Sequence, residues 1–228
     1  MIGPILLLIG LVALFGTAAA PARGPVVQVP RAAPAVIDGR MDEHEWDGSA
    51  VQRFSDGTAI RLRHDGRHLF LAIVSSRQGF ASVCVAHADS VRVFHASAAL
   101  GSVAYVRSAQ DWETGDKEFV YAMRNPDLTE QARRERSAYL SLHGWVASTF
   151  RMGDGLVQEL QFSLARISGM QGIAIAFFVP AGETGTVVTW PGTLAPDDGC
   201  GNERLARGEV PSPLRFELNG WAEVRLDP

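Results

Sequence analysis

The stretch that decides the fold reads IRLRHDGRHLFLAI over residues 60–73. Apolar residues recur at every second position on both sides of Asp65-Gly66, with Ile60 and Leu62 before it and Leu69 and Leu71 after it. This alternation is typical of β-strands, and Asp-Gly between two such runs is the strongest local signal for a tight hairpin. The sequence therefore predicts an antiparallel hairpin at this point.

Short runs of the same kind follow along most of the chain. Further candidate strands are residues 83–86, 91–95, 103–107, 119–123, 145–150, 156–162, 173–179, 186–190, 214–218 and 221–226, and Gly153-Asp154-Gly155 is expected to turn another hairpin. Many short strands with turn residues between them predict a mainly β fold, an antiparallel β-sandwich of jelly-roll or immunoglobulin-like type with one or two short helices.

One segment has the signals of a helix instead. Asp127 followed by Glu130 resembles a capping box, and residues 128–140 contain good helix formers. Gly144 is expected to end this helix, and a second, shorter turn is expected over residues 164–167.

The N-terminal residues predict export. The apolar run over residues 5–16 is followed by Ala20-Pro21-Ala22, which fits a signal-peptidase site, so residues 1–22 are interpreted as a signal peptide. Because no Lys or Arg precedes the run, an uncleaved membrane anchor is the alternative. Residues 23–34 are rich in Pro and Ala and predict a tether, which leaves residues 35–228 as one secreted or periplasmic domain.

Composition narrows the function further. The 228 residues have 21 basic and 25 acidic side chains and a net charge of −4, which argues against a nucleic-acid partner. Cys84 and Cys200 are the two cysteines of the chain, and paired thiols are usual after export. The sequence therefore predicts a disulfide between them, with a buried Cys84 and an unpaired loop Cys200 as the alternative.

Several motifs occur in an order that carries a resemblance. The sequence reads VIDGRMDE over residues 36–43, with Trp46 close behind, then DSVRVF over 89–94, LVQEL over 156–160 and TWP over 189–191. In this order the chain resembles the family 9 carbohydrate-binding modules and the wider DOMON-like sandwiches over about residues 36–226. The resemblance implies a β-sandwich that binds a carbohydrate or glycan without cleaving it and that assists carbohydrate catabolism. It also implies that Trp46 is a buried plug at one end of the sandwich.

The sugar site of that family is not carried over intact. Ala86 stands where sugar-binding members have a stacking tryptophan, and Arg215 and Phe216 lie nearest to the position of a second one. Arg92 replaces the acidic residue that helps to bind sugar hydroxyls. We therefore expect the fold to be shared, and we hypothesise that Arg92 redirects specificity towards acidic groups.

Trp112 is the first candidate for a ligand contact. It lies in the polar run QDWETGD over residues 110–116, which predicts a connection between strands. An exposed indole there would stack on a sugar, while Asp111 and Glu113 would accept hydroxyl hydrogen bonds beside Arg107. The alternative is a tryptophan folded back onto the sandwich. Trp190 is a second candidate, although its place in the TWP motif favours a structural role.

Three other kinds of ligand are considered. Calcium would suit Asp197-Asp198 with Asn202, or Asp42-Glu43, although solvated turn acids are the simpler interpretation. The DOMON resemblance implies an alternative, an electron-transfer domain that holds haem b between the sheets, with axial ligands from Met123, His143, Met152 or Lys117. A periplasmic interaction domain without a small ligand is the third possibility.

Signatures of catalysis are incomplete in the sequence. His44-Glu45 begins like a zinc-protease motif, but Gly48 stands where its second histidine belongs. Glu159 and Glu217 are the best candidates for the two carboxylates of a glycosidase, and on alternating strands such residues are more often exposed partners of arginine. The chain is therefore predicted not to be an enzyme.

Overall fold

The computed structural model describes residues 23–42, 44–97, 99–120, 129–153, 155–182 and 184–228. The predicted signal peptide, residues 1–22, lies outside the described residues. Among the described residues, no helix is both long enough and apolar enough to cross a membrane.

Strands dominate the described part of the chain. They are β1 (Val26–Val29), β2 (Ala50–Arg53), β3 (Ala59–His64), β4 (His68–Ser75), β5 (Phe80–Ala86), β6 (Ser90–Ala96), β7 (Leu100–Ser108), β8 (Asp111–Val120), β9 (Trp145–Met152), β10 (Gly155–Ser163), β11 (Gly172–Ala181), β12 (Thr184–Trp190) and β13 (Glu223–Leu226). The α-helices are α1 (Glu130–His143) and α2 (Glu203–Ala206), and single 3-10 turns cover Gly199–Gly201 and Leu218–Gly220.

The strands form two large antiparallel sheets, which confirms the predicted β-sandwich. One sheet has the order β2-β3-β4-β10-β9 and the other β12-β11-β5-β6-β7-β8. The hairpin at Asp65-Gly66 joins β3 to β4 as predicted, and Gly66 has a φ of 86°. β9 and β10 also pair as a hairpin, although Asp154 in its turn lies outside the described residues.

The core between the sheets is filled by large side chains. Phe94 from β6 meets the rings of Trp145 and Phe162 from the facing sheet, with centroid separations of 5.2 and 5.1 Å. Ile60 and Leu62 of the first hairpin are fully buried in the same cluster. The alternation that predicted the hairpin therefore marks the side of β3 that enters the core.

The outer face of the six-stranded sheet is covered by the C-terminal segment 191–222, which we call the strap. Phe216 and Trp221 of the strap are buried in one cluster with Tyr105 and Trp112 of the sheet. The disulfide between Cys84 of β5 and Cys200 fastens the strap to the sheet, which confirms the predicted pairing.

The predicted tether over residues 23–34 is wrong for its middle part. Val26–Val29 forms β1, which pairs in parallel with β13, and Val27 and Val29 are buried in the inter-sheet core. Arg63 donates a hydrogen bond to the carbonyl of Ala33 and holds the end of this segment. The segment is therefore part of the domain.

The boundaries of other elements also differ from the sequence predictions. α1 begins after Thr129, whose hydroxyl accepts a hydrogen bond from the Ala132 amide, whereas the proposed cap Asp127 lies outside the described residues. Gly144 ends the helix as predicted, with a φ of 73°. The candidate strand over residues 214–218 makes a single bridge, from Leu214 to Trp112, because it serves as a cover over the sheet.

Candidate functional site

The structure places Trp112 in the interior, so the prediction of an exposed stacking platform is wrong. The indole is 3% exposed and lies edge-on to Phe216, with ring centroids 5.8 Å apart. The run predicted as a polar connection is the start of β8, and the strap covers the face on which Trp112 lies. The guanidinium carbon of Arg107 is 4.8 Å from the indole centroid and covers the ring from the solvent side.

The two acidic residues predicted beside Trp112 do not share its face, whereas Arg107 does. Glu113 pairs with Val106 of β7 in the register of the sheet, whereas Trp112 pairs with Arg107. Because neighbouring residues of a strand point to opposite faces, the exposed Asp111 and Glu113 lie on the inner side of the sheet. The four residues therefore do not form one site.

Trp190 is also unavailable to a ligand. It is 3% exposed at the end of β12, where it belongs to the core between the sheets. Its predicted structural role is confirmed, and its place in a binding site is wrong.

A polar cleft borders the strap where Arg107 leaves the sheet. It has a volume of about 200 Å³ and is lined by Arg107, Gln110, Arg215 and Glu217. A second cleft of about 440 Å³ shares Glu217 and continues towards Asp197. Arg215 is paired with Glu217 at 2.5 Å and with Asp197 at 3.9 Å. The guanidinium of Arg215 is therefore already ion-paired within the protein.

A second candidate region lies on the inner face of β6, β7 and β8. We call Ser90, Arg92, Val106, Glu113 and Glu118 the open patch. Phe94 faces the core, so Arg92, two residues earlier on the same strand, lies on the same inner face. The register places Ser90 beside Val106, and Val106 beside Glu113. Val106 is 45% exposed, so this part of the inner face is accessible beyond the packed core.

Glu118 is held at one side of the open patch by residues from three elements. His143 at the end of α1 has its Nδ1 atom 2.6 Å from Glu118 Oε1, and Ser102 Oγ donates to Oε2 over 3.3 Å. Arg166 Nη2 lies 3.5 Å from the same Oε2 atom. Partial burial opposes ionisation of Glu118, but the hydrogen bond from His143 and the charges of His143 and Arg166 outweigh it and lower the pKa.

Arg92 differs from the other arginines of this region because no hydrogen bond or ion pair joins it to a described residue. Its side chain is half-buried, and burial, followed by the charge of Arg166, lowers the pKa of its guanidinium. Arg166 is itself only partly satisfied, since its buried Nε atom has no hydrogen-bond partner. The ring of His87 lies within the field of Arg92, and burial together with that charge lowers its pKa. The region thus contains guanidinium donors that are not used within the described protein.

The two carboxylates considered for catalysis are used in other ways. Glu217 is paired with Arg215. Glu159 was expected to be exposed, but it is fully buried. Its oxygens accept hydrogen bonds from the Trp46 indole over 2.9 Å and from the backbone amide of Gly39 over 2.8 Å. Burial raises the pKa of Glu159 to about 8 against the effect of these donors. Trp46, predicted as a buried plug, is 2% exposed and is held by this bond.

The acids considered for calcium are used in other ways. Asp198 is 2% exposed and accepts hydrogen bonds from the amides of Cys200 and Glu217, and Asn202 caps α2. Glu43 lies outside the described residues. Among the residues that the structure describes, no group of three His, Cys, Asp or Glu side chains is placed to hold a metal ion.

Haem does not fit the described interior. The space between the sheets is occupied by stacked rings, with Trp145 and Phe162 6.3 Å apart and nearly parallel. His143, one of the ligands considered, is bonded to Glu118. Met123 and the side chain of Met152 lie outside the described atoms, and Lys117 lies on β8.

Neither the known protein-family models nor the curated proteins match the chain. Its class therefore follows from its own structure, an antiparallel β-sandwich with one sheet face covered by a strap and part of the opposite face left accessible at the open patch.

Of the residues in this region, the sequence predicts Arg92 but not Glu118, Arg166 or His87. Arg92 stands within the motif DSVRVF over residues 89–94, which singles it out. The others come from the far edge of the sheet and from two loops, and the register of β7 with β8 brings Glu118 to its place. No local pattern in the sequence signals that proximity.

Proposed function

We propose that this chain is an exported, non-catalytic carbohydrate-binding protein and that its ligand lies on the open patch. The observation that supports this most is Arg92, a half-buried arginine without a partner among the described residues, at the position where the family resemblance has a ligand-binding side chain. An unpaired, partly desolvated charge is costly, so such a group is commonly retained for something that it binds.

The chemistry of the open patch suits a sugar. Val106 presents an exposed apolar surface for the C–H face of a pyranose ring. Arg92 supplies hydrogen-bond donors, while Glu113 and Glu118 supply acceptors around it. Alternation of apolar surface with donors and acceptors is what a ring bearing hydroxyls requires.

Contacts between the motif near residue 38 and Glu159 support the family resemblance behind this proposal. Asp38, Gly39, Trp46 and Glu159 are distant in the sequence, yet the Glu159 carboxylate bonds to all of the other three. Gly39 has a φ of 84°, and a Cβ atom there would lie 2.6 Å from the backbone nitrogen of Phe150. Glycine at this position therefore follows from the close approach of the turn to β9.

Export is proposed on the apolar N-terminal run and on the disulfide. The bond between Cys84 and Cys200 requires an oxidising compartment to persist. A secreted or periplasmic location, where glycans are met, agrees with both observations.

The test is binding of the purified protein to a glycan array, followed by titration of the best ligand. Arg92→Ala and Val106→Asp are expected to weaken binding at least tenfold, because the first removes the main donor of the open patch and the second places a charge on its apolar surface. Arg134→Ala is the matched control, since this arginine is 68% exposed on α1 and pairs only with Glu130 among the described residues. Binding lost in Arg215→Ala but retained in Arg92→Ala would place the ligand in the strap-side cleft. An array without any bound glycan would overturn the proposed function.

A further inference from the structure

We infer that Arg92 and Arg166 together form a subsite for an anionic substituent, so that the ligand is an acidic saccharide bearing a carboxylate or a sulfate. The inference rests on the proposed function and specifies the chemical class of its ligand. It is carried by two guanidinium groups from separate elements beside Glu118: Arg166 Nη2 lies 3.5 Å from Glu118 Oε2, and the register of β6, β7 and β8 places Arg92 on the same inner face as Glu118. Both groups have donors without a partner among the described residues.

Arg92 provides the first half of the subsite. Its guanidinium is fixed to a central strand, where β6 pairs with β5 and β7. Burial lowers the pKa of its guanidinium, and the charge of Arg166 adds to this effect while Glu118 and Asp116 oppose it. Two cations that approach in a partly buried place repel each other, and a bound anion between them would relieve the repulsion.

Arg166 provides the second half, and the end of α1 positions it. Its amide donates to the Ser163 carbonyl over 2.9 Å, which shapes the turn after β10. Gly144, the cap of α1, packs so closely that an added Cβ atom would be 2.9 Å from Arg166 Cβ. The side chain thus leaves a rigid point of the fold. Arginine binds carboxylate and sulfate oxygens through two parallel N–H donors, which a lysine lacks.

Glu118 behaves as an internal competitor for Arg166. Its separation of 3.5 Å from Arg166 Nη2 is at the limit of a hydrogen bond, whereas its contact with His143 is 2.6 Å. Glu118 is therefore anchored mainly by His143 and partly screens Arg166. A ligand anion that contacts both Arg166 and Arg92 would replace this weak contact with Glu118.

The carboxylates around the subsite fit the rest of such a ligand. Glu113 is exposed, so its charge is screened by solvent and salt. It lies on β8 beside Val106, where it can accept hydrogen bonds from ligand hydroxyls. The anionic group would then bind at the Arg92 end of the open patch and the neutral part of the sugar at the Val106 end.

The experiment compares oligogalacturonate with its fully methyl-esterified form, and dextran sulfate with dextran, by calorimetric titration at low salt. We expect at least tenfold tighter binding of an acidic member than of its neutral partner. Comparison of the two pairs tells carboxylate from sulfate recognition. Arg166→Gln should remove the preference and leave the weaker neutral binding in place, whereas Arg92→Gln should remove the preference and also weaken neutral binding.

Glu118→Gln tests the inference in the opposite direction. This variant keeps an acceptor for His143 and removes the competing charge, so the preference for acidic over neutral ligands should rise several-fold. Circular dichroism and the thermal midpoint of each variant establish that it is folded. Equal affinity for acidic and neutral ligands would overturn the inference but leave the proposed function standing. A preference for acidic ligands that Glu118→Gln does not raise would have the same consequence. Loss of all glycan binding in the unaltered protein overturns both.

Discussion

At the scale of single residues, two buried carboxylates hold the periphery of the sandwich in the same manner. Glu159 binds the indole of Trp46, and Asp198 binds the indole of Trp221 over 3.0 Å. Each also accepts hydrogen bonds from backbone amides of a loop. Burial raises the pKa of both groups. Each carboxylate thus exchanges hydration for bonds that fix a tryptophan and a loop together.

Glu159→Gln is expected to change how stability depends on pH. The folded-state pKa of Glu159 is about 8, above the ordinary value of 4.5, so folding favours its protonated form. The stability that it contributes is complete below about pH 4.5 and is lost as the pH rises towards 8. The unfolding free energy of the natural protein should therefore fall across this range, by at most ~1.4 kcal/mol per pH unit from this group.

The measurement is urea unfolding of both proteins between pH 5 and pH 9. Glu159→Gln should be less stable at pH 5, because its amide nitrogen cannot accept a hydrogen bond, whereas the second oxygen of the protonated carboxyl can. The gap should narrow as the pH rises and Glu159 loses its proton. His95, whose pKa burial lowers to about 4, titrates in both proteins and cancels in the comparison. Glu135→Gln on the exposed side of α1 is the control. Parallel stability curves for the natural protein and Glu159→Gln would refute the role given to Glu159.

At the scale of elements, local signals predicted the hairpin of β3 and β4 but not the extent of β8. The hairpin has alternating apolar residues and the turn residues Asp65-Gly66, all within a short stretch. β8 reads DWETGDKEFV and has no apolar alternation, since only Trp112 at its start meets the buried outer cluster. Its pairing with β7 and its contact with Leu214 come from distant parts of the chain. Arg92 could likewise be predicted because it lies within a local motif. Arg166 could not, because only the fold brings it to this region.

Because Trp112 is buried between β8 and the strap, we expect its loss to destabilise the protein. Trp112→Ala should cost about 3–5 kcal/mol of unfolding free energy, since it removes a large buried ring that packs on Phe216. Arg107→Ala should cost less than about 1 kcal/mol, because an exposed cation over a ring contributes little. Denaturant unfolding of the two variants measures this difference. Comparable, small losses in both would indicate that Trp112 is not packed as described.

At the scale of the whole molecule, two hydrophobic clusters lie on opposite faces of one sheet. The larger joins the two sheets, and the smaller joins the six-stranded sheet to the strap. The smaller cluster has the disulfide at one end and the paired backbone bonds of Trp112 and Leu214 at the other. The strap is therefore attached at these points, through Asp198, through the paired backbone bonds of Ile173 and Ala222, and through its buried side chains. It covers the face opposite the open patch.

This arrangement predicts that loss of the disulfide loosens the strap before it loosens the sandwich. The cysteines are 116 residues apart, and closing a loop of that length stabilises a fold by ~4–5 kcal/mol in the chain-entropy description. In the double variant Cys84→Ala with Cys200→Ala, hydrogen exchange should accelerate most at the amides of Leu214 and Glu217, which bond to Trp112 and Asp198. Amides of β4 should remain the slowest, because the inter-sheet core does not depend on the strap. The natural protein with dithiothreitol serves as a second route to the same state. Equal acceleration in β4 and in the strap would show instead that both clusters unfold as one cooperative unit, with the disulfide stabilising the whole sandwich.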